Sequence, residues 1–92
     1  MHALLVAVKI DPAGIDEAMK MLHEQVVPAV KAAPGFVAGY WIRDERAGMG
    51  YSTAVFESEE AAQAAGKNAP SPPDGGPVTI VNMQVLPVLA SA

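Results

Sequence analysis

Residues 36–56, with the sequence FVAGYWIRDERAGMGYSTAVF, determine the fold of this chain. Two runs rich in aromatic and β-branched residues, Phe36 to Arg43 and Gly50 to Phe56, are typical of strands. The polar segment between them, Asp44 to Met49, contains Gly48 and is short enough for a hairpin loop. The stretch therefore predicts two neighbouring antiparallel strands in the middle of the chain.

The residues before this hairpin predict a strand and a helix. His2 to Ile10 is rich in Leu and Val and stops at the turn formers of Asp11 to Gly14, as a strand does. From Gly14 to Ala33, apolar residues recur at steps of three and four, which places them on one face of a helix. Pro28 lacks a backbone donor, so we expect it to bend this helix before residues 34–35, Pro-Gly, end it.

The residues after the hairpin predict a second helix and a last strand. Ser58 is a good N-cap, and the two acidic residues that follow it favour the start of a helix. This Ala-rich helix is expected to end near Ala65, with Gly66 at its C-terminal end. Residues 69–77 contain four prolines and two glycines and predict a loop. The last strand is expected over Val78 to Val88.

The order strand, helix, strand, strand, helix, strand predicts an α+β fold of the ferredoxin-like type. Its four strands form one antiparallel sheet with both helices on one face, and residues 1–92 form a single domain. The other face should then be polar, yet alternation along the first and last strands gives two apolar faces. The opposed sets are Leu4, Val6 and Val8 against Ala3, Leu5 and Ala7, and Val78, Ile80 and Leu86 against Val81, Met83 and Val85.

An apolar sheet face without helices needs another cover. A second copy of the chain, packed sheet against sheet, is the simplest one, so the sequence predicts a homodimer. The alternative is a monomer with an exposed hydrophobic sheet. The apolar composition, with 51% hydrophobic and 17% charged residues, favours the dimer.

Composition also argues against several classes of partner. The formal net charge is -4, and the six Lys and Arg residues form no cluster, so nucleic acid is not an expected partner. The chain has no cysteine, which removes disulfides and thiolate metal sites and makes a cytoplasmic location the default. The apolar segment Ala3 to Val8 is too short to span a bilayer, so no membrane association is expected.

Two segments that flank the hairpin resemble a known family. The run VPAVKAAPGF at residues 27–36 and the run FESEEA at residues 56–61 are similar to the antibiotic biosynthesis monooxygenase-like family. The resemblance covers nearly the whole chain in element order and implies a dimeric α+β barrel. It also implies one of two activities, cofactor-free oxygenation of electron-rich aromatic substrates or the binding and degradation of haem.

The haem-degrading branch of that family uses an Asn on the first strand, a Trp just before the second helix and a His in or after that helix. This chain has Ala7 and Phe56 at the first two positions, and no His follows His23. The resemblance therefore disfavours haem degradation, and no cofactor is predicted.

Few side chains are candidates for a site. His23 lies beside the apolar stripe of the first helix, where it could act as a base or be a partly exposed helix residue. Trp41 and Tyr40 occupy opposite faces of their strand, and each could stack on a planar ligand or belong to the core or the dimer interface. Phe56, in place of the family's Trp, is a further candidate for substrate binding.

Three polar candidates, Tyr51, Arg43 and Asn82, complete this set. Tyr51 is expected close to Arg43 across the hairpin, where the two could flank the mouth of a pocket or face solvent. Asn82 and Gln84 put two amides on one face of the last strand, to meet a ligand or to pair within an interface. The sequence contains no paired carboxylates, no Ser-His-Asp set and no metal-ligand spacing, so no metal is predicted.

Two function hypotheses follow from these residues. The first is a cofactor-independent monooxygenase that acts on a small aromatic or apolar molecule in a pocket between the first helix and the sheet. The second is a non-catalytic homodimer that binds a small apolar molecule or only assembles. Small residues such as Ala7, Ala38 and Ala54 could leave room for a ligand or allow close packing.

Overall fold

Strands and helices follow one another in the predicted order in the computed structural model, which describes residues 1–92. The strands are β1 (His2–Ile10), β2 (Phe36–Asp44), β3 (Met49–Phe56) and β4 (Val78–Pro87). The first helical region consists of a 3-10 turn (Pro12–Gly14), α1 (Ile15–Met21), a π-helical segment (Leu22–Val26) and α2 (Val27–Lys31). The second is α3 (Glu59–Asn68), which the proline-rich loop connects to β4.

The four strands form one sheet in the order β2-β3-β1-β4, and every neighbouring pair is antiparallel. This is the ferredoxin-like arrangement that the sequence predicts. Along β1, Leu4 and Val6 face the helices, and we call this face the helix-facing side. Ala3, Leu5 and Ala7 alternate with them and lie on the other face, which we call the outer face. No helix is long and apolar enough to cross a membrane.

A bulge in β4 changes which of its residues share a face. Val81 is an extra residue without a partner in β1. Because one extra residue reverses the alternation, Val78 and Ile80 lie on the helix-facing side, whereas Leu86 lies on the outer face. The prediction that these three residues share a face is therefore wrong. A second bulge, at Val37, interrupts the pairing of β2 with β3.

The core lies between the sheet and the two helical regions. It is formed by Leu4, Val30, Ala54, Phe56, Ala62 and Ala65. Phe56 is fully buried and makes an edge-to-face contact with Phe36, with 5.9 Å between the ring centroids. Because α3 presents alanines to the sheet, its backbone packs closely against β1, β3 and β4.

The first helix is interrupted in the turn before Pro28. Pro28 has no backbone N–H, and its ring crowds the carbonyl one turn earlier, so regular α-helical bonding cannot continue through this turn. The chain widens into the π-helical segment instead, and the N–H of Val27 donates to the carbonyl of Leu22. Where the sequence predicts a bend at Pro28, the structure has an inserted π turn between α1 and α2.

The second helix begins as predicted and ends later. The hydroxyl of Ser58 accepts a hydrogen bond from the N–H of Ala61, with 3.1 Å between the two atoms. The helix continues to Asn68 rather than Ala65, so Gly66 lies inside it. A Cβ atom on Gly66 would lie 3.2 Å from a methyl group of Leu4, so this glycine lets the helix approach the sheet.

Candidate functional site

The six predicted substrate-binding residues divide between the two faces of the sheet. Trp41, Arg43 and Phe56 lie on the helix-facing side, whereas Tyr40, Tyr51 and Asn82 lie on the outer face. A single pocket within one subunit cannot contain both groups, because the sheet separates them.

The expected proximity of Arg43 and Tyr51 is not found. Arg43 pairs with Gly50 across the hairpin, and Tyr51 pairs with Ile42, so the two side chains point to opposite faces. The guanidinium of Arg43 instead donates to the carboxylate of Glu45, with 3.2 Å between the atoms. The prediction that Arg43 and Tyr51 flank one pocket mouth is therefore wrong.

Two further candidates have contrasting surroundings. Phe56 has no exposed surface and belongs to the core, which leaves no part of its ring free to touch a ligand. His23 is exposed on the π-helical segment, between half-buried Leu22 and exposed Glu24. Trp41 packs against the core to which Phe56 belongs, whereas His23 is not part of that core.

The helix-facing side carries a row of side chains that crosses all four strands. From β2 to β4 this row consists of Trp41, Ser52, Val6 and Met83, and we call it the Trp41 row. Trp41 and Val6 are half-buried and pack against the core. Met83 is 41% exposed although it lies on the side that the helices cover. Apolar surface therefore remains accessible along this row.

The adjacent row, nearer the hairpin loop, is also incompletely covered. It contains Arg43, Gly50, Val8 and Ile80. Ile80 is 40% exposed. The α3 helix packs on β1, β3 and β4, and α2 packs on β2, but neither α1 nor the π-helical segment approaches a strand as closely. The exposed apolar side chains of these two rows, Met83 and Ile80, thus lie on the edge strand β4.

The position of the Trp41 ring depends on Gly39. A Cβ atom on Gly39 would lie 3.1 Å from two carbons of the six-membered ring of Trp41 and 3.3 Å from a ring carbon of Phe36. The indole therefore folds back along β2 over Gly39, towards the buried end of the sheet. The six-membered ring of the indole lies over Gly39 rather than towards Arg43.

Two concave regions occur elsewhere on the surface. A cleft of about 200 Å³ lies between α2 and α3 and is lined mainly by alanines, with Asn68 as its polar residue. It is smaller than the roughly 300–1,000 Å³ of typical small-molecule pockets and includes no strand residue, so it is not the predicted pocket between the first helix and the sheet. A wider crevice of about 430 Å³ contains Asp11, Glu17 and Asp74. No group of three or more His, Cys, Asp or Glu side chains is placed to hold a metal ion.

The outer face carries exposed apolar and aromatic side chains that no helix covers within the subunit. Tyr40 is 67% exposed, Ile42 59%, Tyr51 45% and Leu86 43%. Charged side chains of the strands on this face, Lys9 and Asp44, lie in the row nearest the hairpin loop. The sequence-based prediction of a second apolar face therefore holds for β1, β2 and β3, whereas β4 contributes the polar residues Thr79, Asn82 and Gln84 to it besides Leu86.

Comparison with known proteins relates this chain to others through its structure. No family model and no curated protein sequence matches it. Two structures of the haem-degrading protein MhuD, one of them a variant with two manganese protoporphyrin IX molecules per active site, superpose with TM-scores of 0.75 and 0.74. Their sequences are 17% and 16% identical to this chain, and the matches cover 100% of it and 98% and 99% of MhuD. One of these structures is described as the protein from Mycobacterium tuberculosis.

A third similar structure is a monooxygenase from the ActVA-Orf6 gene of Streptomyces coelicolor in complex with Nanaomycin D. It superposes with a TM-score of 0.59 at 19% identity, over 99% of this chain and 90% of the monooxygenase. At these identities the comparisons establish the fold. The chain has the ferredoxin-like α+β fold that MhuD and this monooxygenase share, which confirms the expected resemblance at the level of structure.

Proposed function

We propose that this protein binds a small aromatic or apolar molecule between its first helix and the helix-facing side of the sheet, and oxygenates it without a cofactor. The observation that carries the proposal is the accessible apolar surface on the helix-facing side: Met83, at the β4 end of the Trp41 row, and Ile80, in the adjacent row, stay about 40% exposed on the side that the helices cover. Exposed apolar surface on a soluble protein often marks a site for a ligand or a partner.

Structures with the same fold support an aromatic ligand. The two proteins described above hold manganese protoporphyrin IX and Nanaomycin D, both of which contain conjugated rings. The monooxygenase is the better guide of the two, because this chain has Ala7 and Phe56 at two positions that the haem-degrading branch fills with Asn and Trp. It also has no histidine after His23.

The proposed chemistry needs no group beyond the substrate and dioxygen. An electron-rich aromatic substrate loses a proton and reduces dioxygen itself; one oxygen atom enters the ring as a carbonyl and the other leaves as water, so that a CH2 carbon and O2 give C=O and H2O. The protein supplies an apolar environment in which the carbanion and dioxygen meet. We assign His23 as the base that removes the proton, from the margin of the first helix.

The test is dioxygen uptake with anthrone as the probe substrate. Catalysis predicts uptake above the spontaneous rate, one anthraquinone per dioxygen consumed, and a loss of at least tenfold in His23→Ala if His23 is the base. An unchanged rate in His23→Ala excludes that residue as the base and leaves the rest of the proposal standing. Saturable binding of anthrone without uptake would favour the alternative, a non-catalytic ligand-binding module.

We also propose that two subunits associate through their outer faces. The exposed Tyr40, Ile42 and Tyr51 form a contiguous apolar surface, because Ile42 and Tyr51 are directly paired and Tyr40 lies two residues before Ile42. Such a patch is typical of an interface between subunits. Tyr40, Tyr51 and Asn82 would then be interface residues rather than substrate-binding residues.

A further inference from the structure

We propose that Ser52 determines the specificity of this site by hydrogen bonding to an oxygen on the edge of the aromatic ligand, an inference that rests on the proposed function. Ser52 lies in the Trp41 row, between Trp41 and Val6. It is the one residue of that row whose side chain is both a hydrogen-bond donor and an acceptor.

The Ser52 hydroxyl has no partner within the chain. None of the side-chain hydrogen bonds involves it. The residue is half-buried, and the one polar side-chain atom that is fully buried without a partner is Nδ1 of His2. The hydroxyl of Ser52 therefore remains accessible in an otherwise apolar row, where a ligand oxygen can reach it.

Two packed positions flank Ser52 on the helix-facing side. The indole of Trp41 folds over Gly39, away from the hairpin end of the sheet. On the other side, methyl groups of Val8 and Ile10 fill the space above Gly50, within 3.0 Å of where its Cβ atom would be. Ser52 thus lies between two packed positions, and its hydroxyl is the unpaired polar group of this part of the sheet.

Arg43 gives this part of the site a positive charge. It follows Trp41 by two residues on the same face of β2, and its side chain is 34% exposed. Its partner Glu45 is itself 78% exposed, and such surface pairs contribute little to stability. A ligand oxygen at Ser52 can therefore interact with Arg43 as well, which favours phenols, enols and carboxylates over plain hydrocarbons.

The experiment compares two probes of similar shape, 2-naphthol and 2-methylnaphthalene. Their binding is followed by the indole NMR signal of Trp41, the one tryptophan of the chain. The quantity compared is the ratio of the affinity for 2-naphthol to the affinity for 2-methylnaphthalene. In Ser52→Ala this affinity ratio is expected to fall roughly fivefold, which corresponds to the loss of one neutral hydrogen bond. Thr53→Val is the matched control, since Thr53 is also half-buried but lies on the outer face. The affinity ratio of the two probes in this variant should equal that of the wild type.

The outcomes separate this inference from the proposed function. If neither probe shifts the Trp41 signal in the wild type, the proposed site itself is wrong. If both probes bind and Ser52→Ala has the wild-type affinity ratio, the role of Ser52 is overturned while the site stands. The same holds if Thr53→Val lowers the affinity ratio as much as Ser52→Ala does. Should Ser52→Ala fail to fold, Ser52→Cys is the second test, because a thiol is a much weaker hydrogen-bond donor than a hydroxyl; the same fall in relative affinity for 2-naphthol is expected, and an unchanged ratio overturns the role of Ser52.

Discussion

Trp41 owes its orientation to the absence of a side chain at Gly39. Valine at position 39 would place methyl groups where the indole lies, since even a Cβ atom there comes within 3.1 Å of the ring. We expect Gly39→Val to displace the indole towards solvent, with a red shift of its fluorescence emission and a stability loss of roughly 1–3 kcal/mol. Ala38→Val, on the opposite face of β2, should leave the emission unchanged; an unshifted spectrum in Gly39→Val would contradict this packing.

A substitution of Phe56 tests the packing of the core, because the side chain of Phe56 has no exposed surface. Phe56→Ala removes the edge-to-face contact with Phe36 and leaves a cavity, which should cost roughly 3–5 kcal/mol. Thermal unfolding would then show a Tm lower by roughly 15 °C or more. Lys67→Ala, at an exposed position of α3, is the control and should change the Tm little. A small effect of Phe56→Ala would mean that Phe56 lies in a site open to ligand rather than in the core.

At the scale of single elements, the start of α3 depends on the cap that Ser58 provides. Ser58→Ala leaves the N–H of Ala61 without this acceptor and is expected to lower the free energy of unfolding by about 1 kcal/mol. Ser58→Asp should retain most of the stability of the wild type, because an Asp side chain can also accept this hydrogen bond. Ser71→Ala, in the exposed part of the proline-rich loop, is the control. Denaturant unfolding measures all three variants, and equal losses in Ser58→Ala and Ser71→Ala would contradict a capping role.

The elements could be predicted from local sequence, but their irregularities could not. The order of strands and helices was predicted correctly from local signals. These signals are the spacing of apolar residues, the proline-rich loop and the N-cap Ser58. Val81 and Val37 are ordinary strand residues, so nothing in the sequence marks them as bulges. Gly66 resembles a helix end, and only its contact with Leu4 shows why it lies inside α3.

The candidate site was predicted less well than the fold, for a related reason. Alternation showed that Trp41 and Tyr40 lie on opposite faces, but no local feature indicates which face the helices cover. Arg43 and Tyr51 were expected together because they are close in the hairpin, and a register that pairs Arg43 with Gly50 separates them. Ser52 was missed, because a single serine in a strand carries no signal until its neighbours are known.

For the whole molecule, the proposed dimer depends on the outer face. Tyr40→Lys introduces a charge at a residue that is 67% exposed in the single subunit and would be buried between two subunits. Native mass spectrometry should show a dimer for the wild type and mainly monomer for Tyr40→Lys. Arg46→Glu, in the exposed hairpin loop, changes charge outside this face and should stay dimeric. A monomeric wild type would contradict the proposed assembly.

The central claim is that an aromatic ligand binds on the helix-facing side of the sheet, and the methionines report on it directly. Met83 lies in the Trp41 row, whereas Met49 pairs with Lys9 and lies on the outer face. The measurement is a titration of methyl-labelled protein with 2-naphthol, followed by methionine methyl NMR. Binding at the proposed site predicts a saturable shift of the Met83 methyl signal while Met49 stays in place. A shift of Met49 alone, or no shift of either signal, would contradict the account.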